Sequence, residues 1–199
     1  YGWVICDHAD ADKYRRLLRE GKEIESRLAD DLDAHLNAEI ALGTISDLDD
    51  VMDWLETTFY YQRAHADPET YDPDGLRERV RSTLQDLVDR GFVTTDSDLA
   101  VEATQLGRLA SNYYLRLPTA VRFADLVDRD RLSVDAVLDA VAGAAEFDSV
   151  SARQDETDAI DEVLDGADTD LENGHRKVLA ILEASMDDRV PSGLRSDAW

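Results

Sequence analysis

A chain of 199 residues with 43% apolar residues and a formal charge of −24 holds enough apolar side chains for one large or two small cores. No run approaches the length of a membrane span, the start YGWVICDHADADK lacks a basic region followed by an apolar stretch, and one cysteine excludes an internal disulfide. Lys occurs only at 13, 22 and 177, and affinity for phosphates rests on Lys and Arg, so the acidity argues against nucleic acid at low salt.

The elements follow from periodicity and stop signals. Gly2 to Cys6 is a short apolar run suited to a buried strand, with Cys6 inside it, and Asp10 can cap a helix through Leu18 that stops near Gly21. Ile24, Leu28, Leu32, Leu36 and Ile40 recur every four residues, a helical stripe with a break expected near Asp30-Asp31 and an end at Gly43. Ser46 with Asp49 reads as the cap of a second helix whose Leu48, Val51, Met52, Leu55 and Phe59 share one face. After turns at Asp67-Pro68 and Asp72 to Gly75, a third helix carries Leu76, Val80, Leu84, Leu87 and Val88 inward and ends before Gly91. FVTT and LAVE around Asp96-Ser97-Asp98 read as a hairpin. A helix from Gln105 to Leu117 is expected to end at Pro118, the boundary of a second, helical part. There Ser133 caps a helix with Val134, Val137, Leu138 and Val141 on one side, followed by acidic helices near 155 to 165 and 172 to 187.

Three helices and a hairpin make the order of a winged helix. The expected fold is therefore mainly α, a winged helix followed by the opening of a helical bundle.

Motifs for chemistry are missing. No phosphate-cradling GxxxxGK[ST] loop and no acidic box after a buried strand occurs, so no catalytic residue, cofactor or small-molecule substrate is assigned to this chain. His8, His35, His65 and His175 are too scattered for a zinc site or a nucleophile triad, and Asp168 to Gly174 departs from calcium-loop spacing because Gly is seventh and the twelfth position is Leu179. Arg77 and Arg81 lie four apart where a winged helix places its groove-reading helix, but Glu78, Asp86 and Asp89 share that helix and would meet phosphate repulsion. Among the aromatics, Phe59 and Tyr113 fall on apolar stripes and are expected in the core. Tyr60 and Tyr114 fall off the stripes and are expected to meet a neighbouring domain.

The spacing of particular residues resembles a known family. Glu25, Ser26 and Leu28 match ES-x-L, Leu36 to Ile40 with Gly43 to Ile45 match L-N-A-E-I-x-x-G-T-I, and Trp54, Leu55, Thr58, Phe59, Tyr61 and Arg63 match W-L-x-x-T-F-x-Y-x-R. Thr104, Leu106, Gly107, Arg108, Ser111, Tyr113 and Tyr114 match T-x-L-G-R-x-x-S-x-Y-Y, and Glu146, Phe147, Val150, Arg153 and Glu156 match E-F-x-x-V-x-x-R-x-x-E. Lys177 and Val178, then Leu194, Ser196 and Asp197, continue the likeness. These patterns are similar to the region following the motor domains in superfamily-two helicases of the superkiller and spliceosomal-unwinding type.

The resemblance implies the end of a second motor domain over 1–23, a winged helix over 24–117 and the start of a Sec-type helical domain over 118–199. It implies a non-catalytic region of a cytoplasmic helicase that meets DNA or RNA through its parent, with ATP and Mg bound by the parent alone. Its partners would be the parent's own motor domains, reached through Tyr60, Tyr114 and Arg63, with Arg77, Arg81 and Arg108 as weak nucleic-acid contacts. A free-standing winged-helix regulator or assembly adaptor is the other reading. The Asp-rich, Lys-poor composition further resembles proteins of salt-accumulating archaea, where at about 1 M salt a screening length of about 3 Å removes the objection to nucleic acid.

Salt also sets a stability test. Self-repulsion among 24 net negative charges grows as the screening length rises to about 10 Å at 0.1 M. The thermal midpoint is expected to rise by several degrees between dilute buffer and molar potassium chloride. An unchanged midpoint would remove the salt explanation of the composition.

Overall fold

The structure, a computed structural model, describes residues 2–96, 100–128, 132–165, 169–189 and 193–194. Eleven α-helices and one small hairpin are seen among them. Gly2 to Cys6 pairs with no strand among the described residues, and Trp3, Ile5 and Cys6 are exposed, which corrects the expectation of a buried strand. A strand is stable only against a neighbour, and the described sheet contains two strands drawn from elsewhere. Helix α1 follows (Ala11–Glu20), stopped by Gly21 at φ 72, while the Asp10 side chain makes no capping bond.

The Ile24 stripe is not one helix. Ile24 is exposed, Leu28–Asp31 forms a 3-10 turn, and α2 spans Leu32–Leu42 with Leu32, Leu36, Asn37 and Ile40 buried. Gly43 in the left-handed region closes it, its N–H bonding back to the last turn. Helix α3 (Leu48–Glu56) is capped by Asp47 rather than Ser46: the Asp47 carboxylate accepts from Asp49 and Asp50 N–H at 2.8 and 2.9 Å. Ser46 instead donates its hydroxyl to Asp50 at 2.6 Å. A new cap at Thr58 then starts α4 (Phe59–Ala66), which rotates the face, so Phe59 points out and Tyr60 points in. Pro68–Tyr71 forms the short helix α5 where a plain turn is expected from the sequence.

Helix α6 (Leu76–Asp89) buries Leu76, Val80, Leu84 and Leu87 as the periodicity requires. Strands β1 (Val93–Thr95) and β2 (Val101–Ala103) pair antiparallel, Thr94 opposite Glu102; the hairpin tip at Ser97 and Asp98 lies outside the described residues. Helix α7 (Gln105–Asn112) ends five residues before Leu117, and Pro118 sits in the first turn of α8 (Leu117–Val127). Proline lacks only an N–H that a first turn leaves unused, so it opens this helix and does not end the previous one.

One core joins α2, α3, α4, α6, the hairpin and α7, and it includes Leu117 and Ala120 of α8. Its tightest point is Gly107, where a Cβ would lie 2.2 Å from the Phe92 carbonyl oxygen and 2.7 Å from Asn37 Oδ1. Asn37 donates from Nδ2 to the Gly107 carbonyl at 3.0 Å. The second core lies among α9 (Val134–Ala142), α10 (Thr157–Leu164) and α11 (Asn173–Met186), with Phe147 and Val150 against it. Ser133 caps α9 as expected, accepting from Ala136 N–H at 3.1 Å, although Val134 faces out.

Lys177 is buried in that core and donates to Glu156 Oε1 at 2.7 Å; the other Glu156 oxygen accepts the Arg153 N–H at 2.8 Å. Between the cores, Glu146 accepts the Arg116 N–H at 2.8 Å and the Thr119 hydroxyl, which in turn accepts the Ala145 N–H at 2.9 Å. The α8 start has no side-chain cap of its own, so Glu146 supplies its anionic partner from another segment.

Two substitutions test this packing. Gly107→Ala is expected to cost about 1 to 3 kcal/mol by overpacking against Phe92. Lys177→Met takes the ammonium away from the buried Glu156 carboxylate and is expected to cost about 3 to 5 kcal/mol, with Glu156→Gln restoring part of that in the double variant. Chemical denaturation of the four proteins measures both, and a neutral Lys177→Met would show that the pair does not hold the second core.

Candidate docking and nucleic-acid surfaces

The exposed ridge of α6 carries Arg77, Glu78, Arg81, Gln85, Asp86 and Asp89, two cations against three carboxylates. Arg77 pairs with Asp49 of α3 at 2.8 Å, and Arg81 lies 3.7 Å from Glu78 on its own helix. Arg108, at the start of α7, donates to the Ala103 carbonyl at the base of the hairpin. The three arginines assigned to nucleic acid therefore each have a protein partner, and they do not converge on one point. Exposed pairs of this kind contribute little and break readily, so the negative balance of the ridge is the firmer obstacle to a phosphate backbone.

The docking residues divide. Tyr60 is 2% exposed: its hydroxyl donates to the Tyr71 carbonyl at 3.1 Å and accepts from Arg79 at 2.9 Å, and its ring meets Tyr71 edge-on at 5.3 Å. It is a core residue and has no surface to offer a neighbouring domain, which corrects the sequence assignment. Arg63 is also turned inward, bonding Glu23 at 2.7 Å and Glu25 at 3.0 Å with its guanidinium above the Tyr71 ring. Tyr114 is different, at 93% exposed, with φ 55 in the left-handed region. Tyr113, expected in the core, is also exposed, because α7 ends one residue before it.

Tyr71 ties the first motif together, and periodicity does not reveal it. Its hydroxyl donates to Glu25 and accepts the Ser26 N–H at 2.9 Å, so the ES pair and Arg63 close on one phenol. The Tyr71 bond, with help from Arg63, outweighs desolvation and holds the Glu25 carboxyl below its usual range; Arg63 is raised, chiefly by Glu23. Glu146 is likewise held low: burial pushes it up, but the Thr119 hydroxyl and backbone N–H groups outweigh burial.

Among the described residues no group of three or more His, Cys, Asp or Glu is placed to hold a metal, and no helix is long and apolar enough to cross a membrane. The acidic loop after α10 is described only from Thr169, Asp168 lying outside, and Ser196 and Asp197 lie outside as well.

A carboxyl held low stabilises the fold above its unfolded range, near 4.5 for Glu25, and that contribution fades as the pH falls through the lower folded value. Tyr71→Phe removes the bond chiefly responsible. The variant is expected to melt below the wild type at pH 7, with the gap narrowing as the pH drops toward 3. A gap independent of pH would show that the hydroxyl acts through packing alone.

Comparison with known proteins supplies the frame for these surfaces. Residues 25–104 match the model of a Winged Helix-turn-helix domain, and residues 103–199 match that of the Sec63 Brl domain. The DExH-box ATP-dependent RNA helicase DExH14 of Arabidopsis thaliana is 33% identical over 171 residues, covering 81% of this chain and 8% of that protein. Activating signal cointegrator 1 complex subunit 3 of Dictyostelium discoideum is 28% identical over 201 residues, and that of Gallus gallus 30%, each alignment covering 92% of this chain and 9% of the relative. The chain thus spans less than a tenth of the length of the relatives it matches. The two matches adjoin, so the chain carries a Winged Helix-turn-helix domain followed by a Sec63 Brl domain.

Proposed function

We propose that this chain is a non-catalytic region from the carboxy-terminal part of an ATP-dependent DNA or RNA helicase. In this reading it packs against the parent's motor domains and helps couple their ATP hydrolysis to strand separation. The observation that carries the reading is the tandem of winged helix and Sec63 Brl domain in a chain whose relatives include a DExH-box ATP-dependent RNA helicase. ATP and Mg belong to the parent, since no phosphate-cradling loop occurs in the 199 residues. The net negative ridge of α6 supports docking over groove reading, and Tyr114 is the member of the docking set with its side chain free to meet another surface. The composition favours a host with concentrated salt in its cytoplasm.

Duplex binding separates this role from that of a free-standing regulator. Each lost phosphate contact lowers the salt slope of binding by about one unit. The docking role predicts weak binding by the 199-residue chain with the same slope for wild type and for the Arg77→Glu, Arg81→Glu double variant. Tight wild-type binding, with a slope about two units smaller in the double variant, would favour the regulator.

A further inference from the structure

Helices α7 and α8 leave an open trough between them of about 440 Å³. Leu106, Leu109 and Tyr113 form one wall, and Phe123, Ala124 and Val127 form the other, with Leu109 41% and Val127 70% exposed. Among the described residues the only charged side chain on the lining is Asp128, at the end of α8. Contiguous exposed apolar surface of this kind marks an interaction site more often than chance exposure.

The turn beside the trough carries an independent sign. Leu115 N–H bonds the Ala110 carbonyl at 2.9 Å and Tyr114 N–H bonds the Ser111 carbonyl at 3.3 Å, the paired bonds that close a helix through a left-handed residue. Glycine takes that position without strain, whereas Tyr114 holds it at φ 55 and leaves its ring in solvent. In the free chain the tyrosine therefore destabilises the turn and gains no contact in return.

We infer that the α7–α8 trough, with the Tyr113–Tyr114 corner, is the docking site for an amphipathic partner helix whose apolar stripe is flanked by basic residues. An α-helix fits a trough walled by two helices through anchors one turn apart. The charge decides its flanks. Asp128 and the negative end of the α8 dipole attract a cation at the trough's end, and the −24 chain attracts one everywhere around it. A second copy would bring 24 more negative charges to the contact, and a nucleic-acid strand would find no Lys or Arg among the described residues of the lining. The inference does not depend on the helicase role, because it concerns a surface of this chain alone.

The test uses the 199-residue chain and a labelled 20-residue peptide with leucines at helical i, i+4, i+7 and i+11 positions and two arginines at each end. Fluorescence anisotropy is expected to show saturable binding, at least tenfold weaker for a peptide with glutamates in place of the arginines. Leu109→Gln and Val127→Gln, both at exposed positions, are each expected to weaken binding at least tenfold with an unchanged thermal midpoint. Tyr114→Gly is expected to raise the midpoint of the free chain while weakening the peptide at least threefold. Equal binding by wild type and both glutamine variants would overturn the proposal, since the peptide would then be held by diffuse charge. A Leu109-dependent dimer without peptide, or displacement of the peptide by oligothymidylate, would overturn it in favour of self-association or base stacking. A lower midpoint in Tyr114→Gly would remove the argument from strain.

Discussion

The approach of α2 to α7 at Gly107 is the contact on which the other placements rest. With no side chain at this position, the Phe92 carbonyl and Asn37 come within a distance that a Cβ would forbid, and Asn37 donates to the Gly107 carbonyl across 70 residues of chain. This seats α7 against both the first motif helix and the hairpin. The direction of α7 then sets where the Tyr113–Tyr114 turn falls, and that turn sends the chain into α8, whose first residues complete the same core. Asn37 Oδ1 is buried with no hydrogen-bond partner among the described residues, so the contact is held by close packing and the Nδ2 bond.

The second core depends on a different device. Burying Lys177 and Glu156 costs several kcal/mol per ion before their attraction is counted, and such pairs seldom stabilise a fold more than apolar residues would. Their effect here is on register. A lysine buried on α11 can be satisfied only where the turn before α10 presents the carboxylate, so the pair selects one alignment of two helices that apolar packing alone would let slide. Glu146 performs the same service between the cores by serving as acceptor for the start of α8. In both places a carboxylate with several bonds does the aligning, which suits a chain rich in acid and poor in lysine.

The acidic surface has a functional meaning as well. A winged helix that reads DNA presents cations on its groove helix, whereas α6 carries three carboxylates beside its three arginines, and those arginines face acidic neighbours. Among the described residues, exposed apolar side chains gather in the Gly2 to Ile5 segment, the trough between α7 and α8, and the Tyr113–Tyr114 corner. Under the proposed docking role, in a region spanning less than a tenth of its relatives' length, such surfaces are the expected meeting points.

Most of the fold was legible in the chain itself, because its helices obey local rules. The period of Leu76, Val80, Leu84 and Leu87, the Gly43 stop, the Ser133 cap and the hairpin around Asp96 are set by residues within a few positions of one another, and the family resemblance rests on spacings of the same kind. The errors fell where a neighbour far along the chain decides. Gly2 to Cys6 has the composition of a strand but no strand beside it among the described residues, and Thr58 breaks the stripe that Phe59 continues in sequence, turning Tyr60 into the core and Phe59 out of it. What Asn37, Gly107, Glu156 and Lys177 contribute could be seen in sequence only as odd residues inside matched motifs. Their pairing needed three dimensions, since a hydrogen bond or ion pair between residues 21 to 70 positions apart leaves no periodic trace, and only the folded chain brings the two partners within bonding distance.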